Sequence, residues 1–549
     1  MAETTRIPTL NLTGGWETLL EGTARETLER EVLPDYLRAQ RWFGGKGRRI
    51  ASLHFVDCGD FLARASRVFL MLLEVRFTDG KSDLYFLPLG VTTGDAASQI
   101  ASAVPSLRIA CVIGPGGEAL LHDALADEGT CLTLLTAIGA RAEFATRGGQ
   151  VRAFPTAAFD ELRGDAAQPL DVIRGPATSS NSLLFYGQRL LLKMFRRLEA
   201  GINPDFEIGR FLTESKRFER IPRVAGAIEY HRAGSDPITL AILQSFVVNQ
   251  GDGWHHAVDE LQHYYQRASE AAPIAPDYRH LLELADLPPP GAVRVIGGYL
   301  EAARTLGRRT AEMHRALAAD ANNADFAPEP FTPTDAHSTW SSIRAQADSA
   351  LAALRDNLDL LPPDVRSSAL QLVETGPALL HGSDPEALLH LDAAKIRCHG
   401  DYHLGQVLRV ENDYVILDFE GEPVRSVPER RAKQSPLKDV AGMLRSYHYA
   451  AYAGLFAFTR QRPEDFGRFV PWAELWFRWV SAAFFHAYCA AAHGESFLPV
   501  EAVSLAALLD AFRLDKVFYE LNYELNNRPD WVRIPLRGIL TLLQKPLAA

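Results

Sequence analysis

The chain has 549 residues, more than the roughly 250 to 300 that one hydrophobic core serves, so two or three domains are expected. With 47% hydrophobic and 23% charged residues it has the composition of an ordinary globular protein, which excludes a largely disordered chain. A net charge of −11 excludes a protein that reads a nucleic-acid backbone with a broad basic face.

In chain order, Met1 to Leu10 lacks the apolar stretch of a signal peptide. Thr18 to Arg38 has helical periodicity and leads into the glycine-rich turn Gln40-Arg41-Trp42-Phe43-Gly44-Gly45-Lys46. Arg67 to Val75 and Leu84 to Leu89 read as strands of a hairpin around Thr78-Asp79-Gly80-Lys81-Ser82. Gly80-Lys81-Ser82 matches the end of a phosphate-binding loop, but valine occupies position 75, where that motif begins with glycine; a turn is expected. Residues 1–150 therefore read as a small α/β module. The five cysteines never stand in C-x-x-C spacing, so neither a zinc site nor a disulfide framework is indicated, and a reducing cytoplasm fits.

A second strand-rich region, 151–250, holds Ser182 to Tyr186 and Arg189 to Phe195 around Gly187-Gln188, a helical stretch Asp205 to Ser215, and the strand Ile238 to Val248. From 251 to 549 the pattern is mostly helical, notably Arg304 to Ala319, Thr339 to Leu354, Leu437 to Thr459 and Val503 to Asn526. Trp476 to Ala492 is apolar but carries Arg478 and His486 and falls short of the ~20 residues of a membrane span, so it reads as a buried helix.

One strand-rich interruption, Ile396 to Phe419, carries the chemistry. Cys398-His399-Gly400-Asp401-Tyr402-His403-Leu404-Gly405-Gln406 precedes Val415-Ile416-Leu417-Asp418-Phe419-Glu420, and the apolar pairs between them suit a hairpin that brings both aspartates to one cleft. Phosphoryl transfer needs one carboxylate to orient the acceptor hydroxyl and take its proton, and another to hold magnesium against nucleotide phosphates. Asp401 suits the first task; Asp418, with Gln406 as an amide-oxygen ligand, suits the second. Glu420 either adds a carboxylate near magnesium or braces the loop. His399 reads as a loop-holding histidine and Asp439 as a structural partner of the loop. His403 reads equally as a phosphate or sugar contact and as packing.

A kinase also needs a cation for the phosphates, and Lys193 closes the apolar strand Leu190-Leu191-Leu192 as such lysines do. Glu207, fourteen positions on, is its expected ion-pair partner. Ser179, Ser180, Asn181 and Ser182 stand where a loop would cover the phosphates. Gln244, Phe246 and Val247 stand where the backbone would pair with adenine. The order of these features carries the reading, since each alone is weak.

The run Leu192-Lys193-Met194-Phe195-Arg196-Arg197-Leu198-Glu199 with Gly201-Ile202-Asn203-Pro204-Asp205, the catalytic stretch, and Phe518-Tyr519-Glu520-Leu521-Asn522-Tyr523-Glu524 through Trp531 together resemble bacterial maltokinase. The early Gln40 to Lys46 segment is similar to that family's N-terminal cap, and the form fused to trehalose synthase is the nearest in pattern. The resemblance implies an α+β, protein-kinase-like two-lobed fold behind a cap, in the aminoglycoside-phosphotransferase-like superfamily. It implies ATP- and Mg2+-dependent conversion of maltose to maltose 1-phosphate, with trehalose synthase as a fused or associated partner. It also places sugar binding on Lys516, Tyr519, Glu520 and Tyr523, which share a helix face by their i, i+3, i+4, i+7 spacing; Glu524 and Trp531 are secondary candidates. Two other readings stand: a kinase for glucosamine or an aminoglycoside-like amine, and a silent kinase-like module that regulates a trehalose synthase.

Overall fold

The computed structural model describes residues 7–63, 66–176, 180–215, 217–382 and 386–543. They form two compact units, one of Met1–Lys216 with Pro222–Val248 and one of Arg217–Ile221 with Asn249–Ala549.

The first unit is built on two sheets, one mixed and one antiparallel. In one, the strands run Thr9–Asn11, Arg108–Gly114, Gly117–Asp123, Ser82–Thr93, Ser66–Phe77 and Ile50–Ala63, with Arg197–Leu198 added beside Ser82–Thr93. The hairpin expected around Gly80 is present: Gly80 has φ +82° and the Phe77 N–H donates to the Lys81 carbonyl at 2.9 Å, so Gly80-Lys81-Ser82 is a turn. The long strand Ile50–Ala63 was not apparent from sequence, because His54, Asp57, Gly59 and Asp60 break its alternation. Asp57 is satisfied from outside the strand, accepting from Tyr230 Oη at 2.7 Å, Thr146 Oγ1 at 2.6 Å and the Gly148 N–H at 3.0 Å.

The second sheet runs Glu143–Ala145, Gln150–Pro155, Val224–His231, Ile238–Ser245, Leu190–Phe195, Asn181–Tyr186 and Val172–Arg174. Leu70, Leu72 and Phe86 of the first sheet share one core with Leu192, Met194, Leu240 and Leu243 of the second, so residues 1–150 and 151–248 pack as one body. The opposite face of the first sheet is covered by Leu28, Leu33 and Leu37 of the helical stretch that the sequence predicted. A buried ion pair, Arg196 Nη2 to Asp123 Oδ2 at 2.7 Å, joins the sheets where Phe86 N–H also donates to the Arg196 carbonyl.

The second unit is mostly helical. The predicted helices are found as Tyr299–Leu317, Pro333–Asp356, Leu437–Thr459 and Ala502–Asn527, and Trp476 lies fully buried in Phe466–Ala491. Gly253–Glu270 and Pro363–Gly382 are further helices that the sequence did not single out. Ahead of helix Leu437–Thr459 the short hairpin Val407–Val410 and Asp413–Ile416 forms as expected. Among the described residues no helix is long and apolar enough to cross a membrane, and the five cysteines are free thiols.

Candidate active site

The hairpin sets Gln406 and Asp418 side by side. Leu417 N–H donates to the Gln406 carbonyl at 2.9 Å, and Gln406 Nε2 donates to Asp418 Oδ2 at 3.1 Å. Asp418 has φ +65°, an unfavourable left-handed conformation for a residue with a Cβ, as occurs where a loop is held to aim a functional side chain. Asp418 and Glu420 each offer a carboxylate oxygen within 4.8 Å of the other. With the Gln406 amide oxygen this is an all-oxygen donor set, suited to a hard divalent cation.

Asp401 is half-buried at the head of the same loop. Its loop is held from behind by Asp439, whose Oδ2 accepts the His399 N–H at 2.7 Å and His314 Nε2 at 3.1 Å, and whose Oδ1 accepts the Gly400 N–H at 2.9 Å. Burial alone would raise the Asp439 carboxyl, but these donors outweigh it and hold it below the usual carboxylate range. His399 Nε2 donates to the Leu417 carbonyl at 2.7 Å, tying the catalytic stretch to the strand that ends in Asp418. Both residues thus hold the loop as the sequence predicted. Helix Leu437–Thr459 approaches so closely that a Cβ on Gly442 would lie 2.6 Å from the Tyr402 carbonyl oxygen.

Of the expected sugar face, Lys516, Tyr519 and Tyr523 all lie on helix Ala502–Asn527. Lys516 Nζ lies 3.5 Å from Asp401 Oδ1 and 5.2 Å from the centre of the Tyr519 ring, and the rings of Tyr519 and Tyr523 are exposed along the same helix. Glu520 Oε2 is paired with Arg445 at 2.7 Å on the neighbouring helix, which braces the two helices. Burial pushes its carboxyl up, and Arg445 opposes the shift. Of the secondary candidates, Glu524 is buried against Arg528 and Tyr449, and Trp531 stacks on Tyr449. His403 is partly exposed; its Nδ1 accepts the Gly405 N–H at 3.0 Å and its Nε2 lies 3.9 Å from Asp401 Oδ2.

Sequence reasoning missed Glu422. Gly421, at φ +72°, turns the chain just after Glu420 and delivers Glu422 to Lys516, Oε1 to Nζ 3.0 Å, while Oε2 accepts from Arg425 Nε at 2.7 Å. Burial would raise the Glu422 carboxyl, but Lys516, Lys438 and Arg425 together hold it down at about 2. The only signal in sequence was a second acidic residue four positions after Asp418.

In the first unit Lys193 is buried and its Nζ donates to Asp205 Oδ2 at 2.9 Å. Sequence reasoning expected Glu207 here; Asp205 makes this bond from the first turn of the helix, which also holds Glu207 and where Asn203 accepts the Asp205 and Phe206 N–H groups at 2.9 and 3.2 Å. Ser180 and Ser182 flank the start of strand Asn181–Tyr186: the Ser180 carbonyl accepts the Arg196 N–H at 3.2 Å and Ser182 Oγ accepts from Arg196 Nε at 2.8 Å. Ser179 lies outside the described residues. Gln244 lies inside strand Ile238–Ser245, and the Phe246 N–H donates to the Arg189 carbonyl at 2.8 Å. Val247 follows it in the segment that leaves the sheet.

Comparison with known proteins adds three findings. The family model of the maltokinase N-terminal cap domain matches residues 36–127. A glucosamine kinase of Streptacidiphilus jiangxiensis is 27% identical over 412 residues, 72% of this chain and 79% of that protein. One of Mycolicibacterium smegmatis is 31% identical over 196 residues, 33% of this chain and 46% of its own length. Among solved structures, a glucosamine kinase in complex with glucosamine, ADP and inorganic phosphate has a TM-score of 0.60 at 20% identity, covering 96% of this chain and 99% of that one. Another glucosamine kinase, crystal form B, has a TM-score of 0.60 at 22% identity and covers 91% and 96%.

The chain is therefore a kinase-type phosphotransferase of mixed α and β structure. Its cap is of the maltokinase kind, and its likeness over most of its length is to glucosamine kinases.

Proposed function

We propose that the chain transfers the γ-phosphoryl group of ATP to the anomeric hydroxyl of maltose, giving maltose 1-phosphate for α-glucan and trehalose metabolism. The observation that carries this reading is the placement of Lys516 3.5 Å from Asp401 Oδ1, with the exposed rings of Tyr519 and Tyr523 continuing along the same helix. Aromatic faces stack on pyranose rings, and a lysine donates to sugar hydroxyls. Asp401 orients the acceptor hydroxyl and receives its proton as the oxygen bonds to the γ-phosphorus. The bond to the bridging oxygen then breaks and ADP leaves.

Lys193, fixed by Asp205, serves the nucleotide phosphates, and Ser180, Asn181 and Ser182 line their approach. Gln244, Phe246 and Val247 belong to the adenine end through groups other than the Phe246 N–H. Gln406, Asp418 and Glu420 would hold Mg2+, which when bound neutralises phosphate charge. His403 takes the side of the acceptor. A cytoplasmic setting and a trehalose synthase as fused or associated partner complete the reading.

Glucosamine as acceptor is the second reading, favoured by the names of the relatives. Charge pairing supports the neutral sugar: Glu422 has Lys516 and Arg425, Glu520 has Arg445, and Glu524 has Arg528, so these three carboxylates already hold cations of the chain. ADP release with a panel of acceptors and Mg2+ tests this. Maltose should be turned over with a kcat/KM well above that of glucosamine; turnover of glucosamine with none of maltose would refute the assignment.

A further inference from the structure

We infer that Lys516 is a built-in stand-in for a substrate ammonium group, and that Glu422 is the positioning residue that holds it there, so that the pair excludes protonated amino sugars. The inference rests on the reading that the acceptor hydroxyl meets Asp401. Two carboxylates that flank one short hairpin converge on a cation from a distant helix: Glu422 Oε1 at 3.0 Å and Asp401 Oδ1 at 3.5 Å from Lys516 Nζ. Such a seat is what a protonated amine would seek, and here the protein fills it with its own lysine.

The lysine is well held. Glu422 is only 9% exposed and has its other oxygen on Arg425, so it cannot swing away to water. Burial lowers the Lys516 pKa, but Glu422, Asp401 and Glu520 together raise it, so the ammonium stays charged. An amino sugar that presents a hydroxyl to Asp401 brings a second positive charge beside Lys516, in a partly desolvated setting where like charges repel strongly. A neutral sugar meets no repulsion and gains an N–H donor. Glu422 acts only through Lys516: it keeps the ammonium drawn off Asp401, which would otherwise be occupied by the lysine.

The test is the ratio of kcat/KM for glucosamine to kcat/KM for the best neutral sugar, in the full chain. Lys516→Met empties the seat while leaving Glu422 and Asp401 to attract an amine, so the ratio should rise by about tenfold or more. The double variant Lys516→Met/Glu422→Gln removes the second carboxylate and should lose most of that gain. Glu422→Asp should keep the wild-type ratio better than Glu422→Gln. A merely structural pair would lower both acceptors together, and that outcome, or a gain retained in the double variant, overturns the inference. Wild-type enzyme gives a check that needs no variant: the ratio should climb between about pH 6 and about pH 9 as the amino sugar loses its proton, and a flat ratio also overturns the inference. If maltose is no substrate but another neutral sugar is, and the ratios behave as stated, only the choice of maltose fails.

Discussion

Two lysine–aspartate pairs in this molecule look alike on paper and differ in kind. Lys193 and Asp205 meet at 2.9 Å with side chains 10% and 2% exposed, whereas Lys516 and Asp401 stand 3.5 Å apart with side chains 25% and 24% exposed. The first pair is nearly closed to water, so breaking it costs far more than the pair contributes net. The second is open and shares its lysine with Glu422. Burial thus separates the two pairs, although sequence presents both only as a lysine and an aspartate.

The comparison can be broken at either end. The largest effect expected is in the open pair: Asp401→Asn should cut kcat by roughly 10²- to 10⁴-fold with nucleotide binding by calorimetry little changed. Near-normal turnover would move the proton acceptor elsewhere. In the closed pair, Asp205→Ala should destabilise the chain by about 1–3 kcal/mol in urea denaturation, because a buried charge-assisted hydrogen bond is lost. A loss below about 1 kcal/mol, the usual worth of an exposed pair, would erase the contrast.

A smaller effect is expected behind the catalytic loop. Gly442→Ala places a methyl 2.6 Å from the Tyr402 carbonyl oxygen and should cost about 1–3 kcal/mol while lowering kcat, since the loop must shift. The last effect is one of pH. The folded Glu422 carboxyl lies near 2 against an ordinary 4.5, so its contribution, on the order of 3 kcal/mol, is fully present above about pH 4.5 and is lost as pH falls towards 2. Glu422→Gln should flatten the acid limb of the stability curve in that window, and an unchanged limb would assign the acid loss to other carboxylates such as Asp439.

How much of this was legible in sequence follows the range of the interactions. Asp401, Gln406 and Asp418 were readable because a hairpin of a few residues links them. Lys516, Tyr519, Glu520 and Tyr523 were singled out by the family resemblance, and helical periodicity puts them on one face. Periodicity could not show that Glu520 also meets the guanidinium of Arg445 on another helix. The bond from Lys193 to Asp205 was not legible, because it turns on where Asn203 starts the helix. Glu422 was hidden because its position depends on the positive φ of Gly421 and on Lys516, 94 residues away. Strand Ile50–Ala63 was missed because its polar positions are satisfied by Thr146 and Tyr230, from outside its own neighbourhood in the chain.

The most direct measurement of the central claim is phosphorus NMR of the product formed from maltose, ATP and Mg2+. The account predicts a single sugar phosphate whose phosphorus couples to the anomeric proton, absent with Asp401→Asn. A phosphate on any other hydroxyl, or ADP formed without a phosphorylated disaccharide, would contradict it.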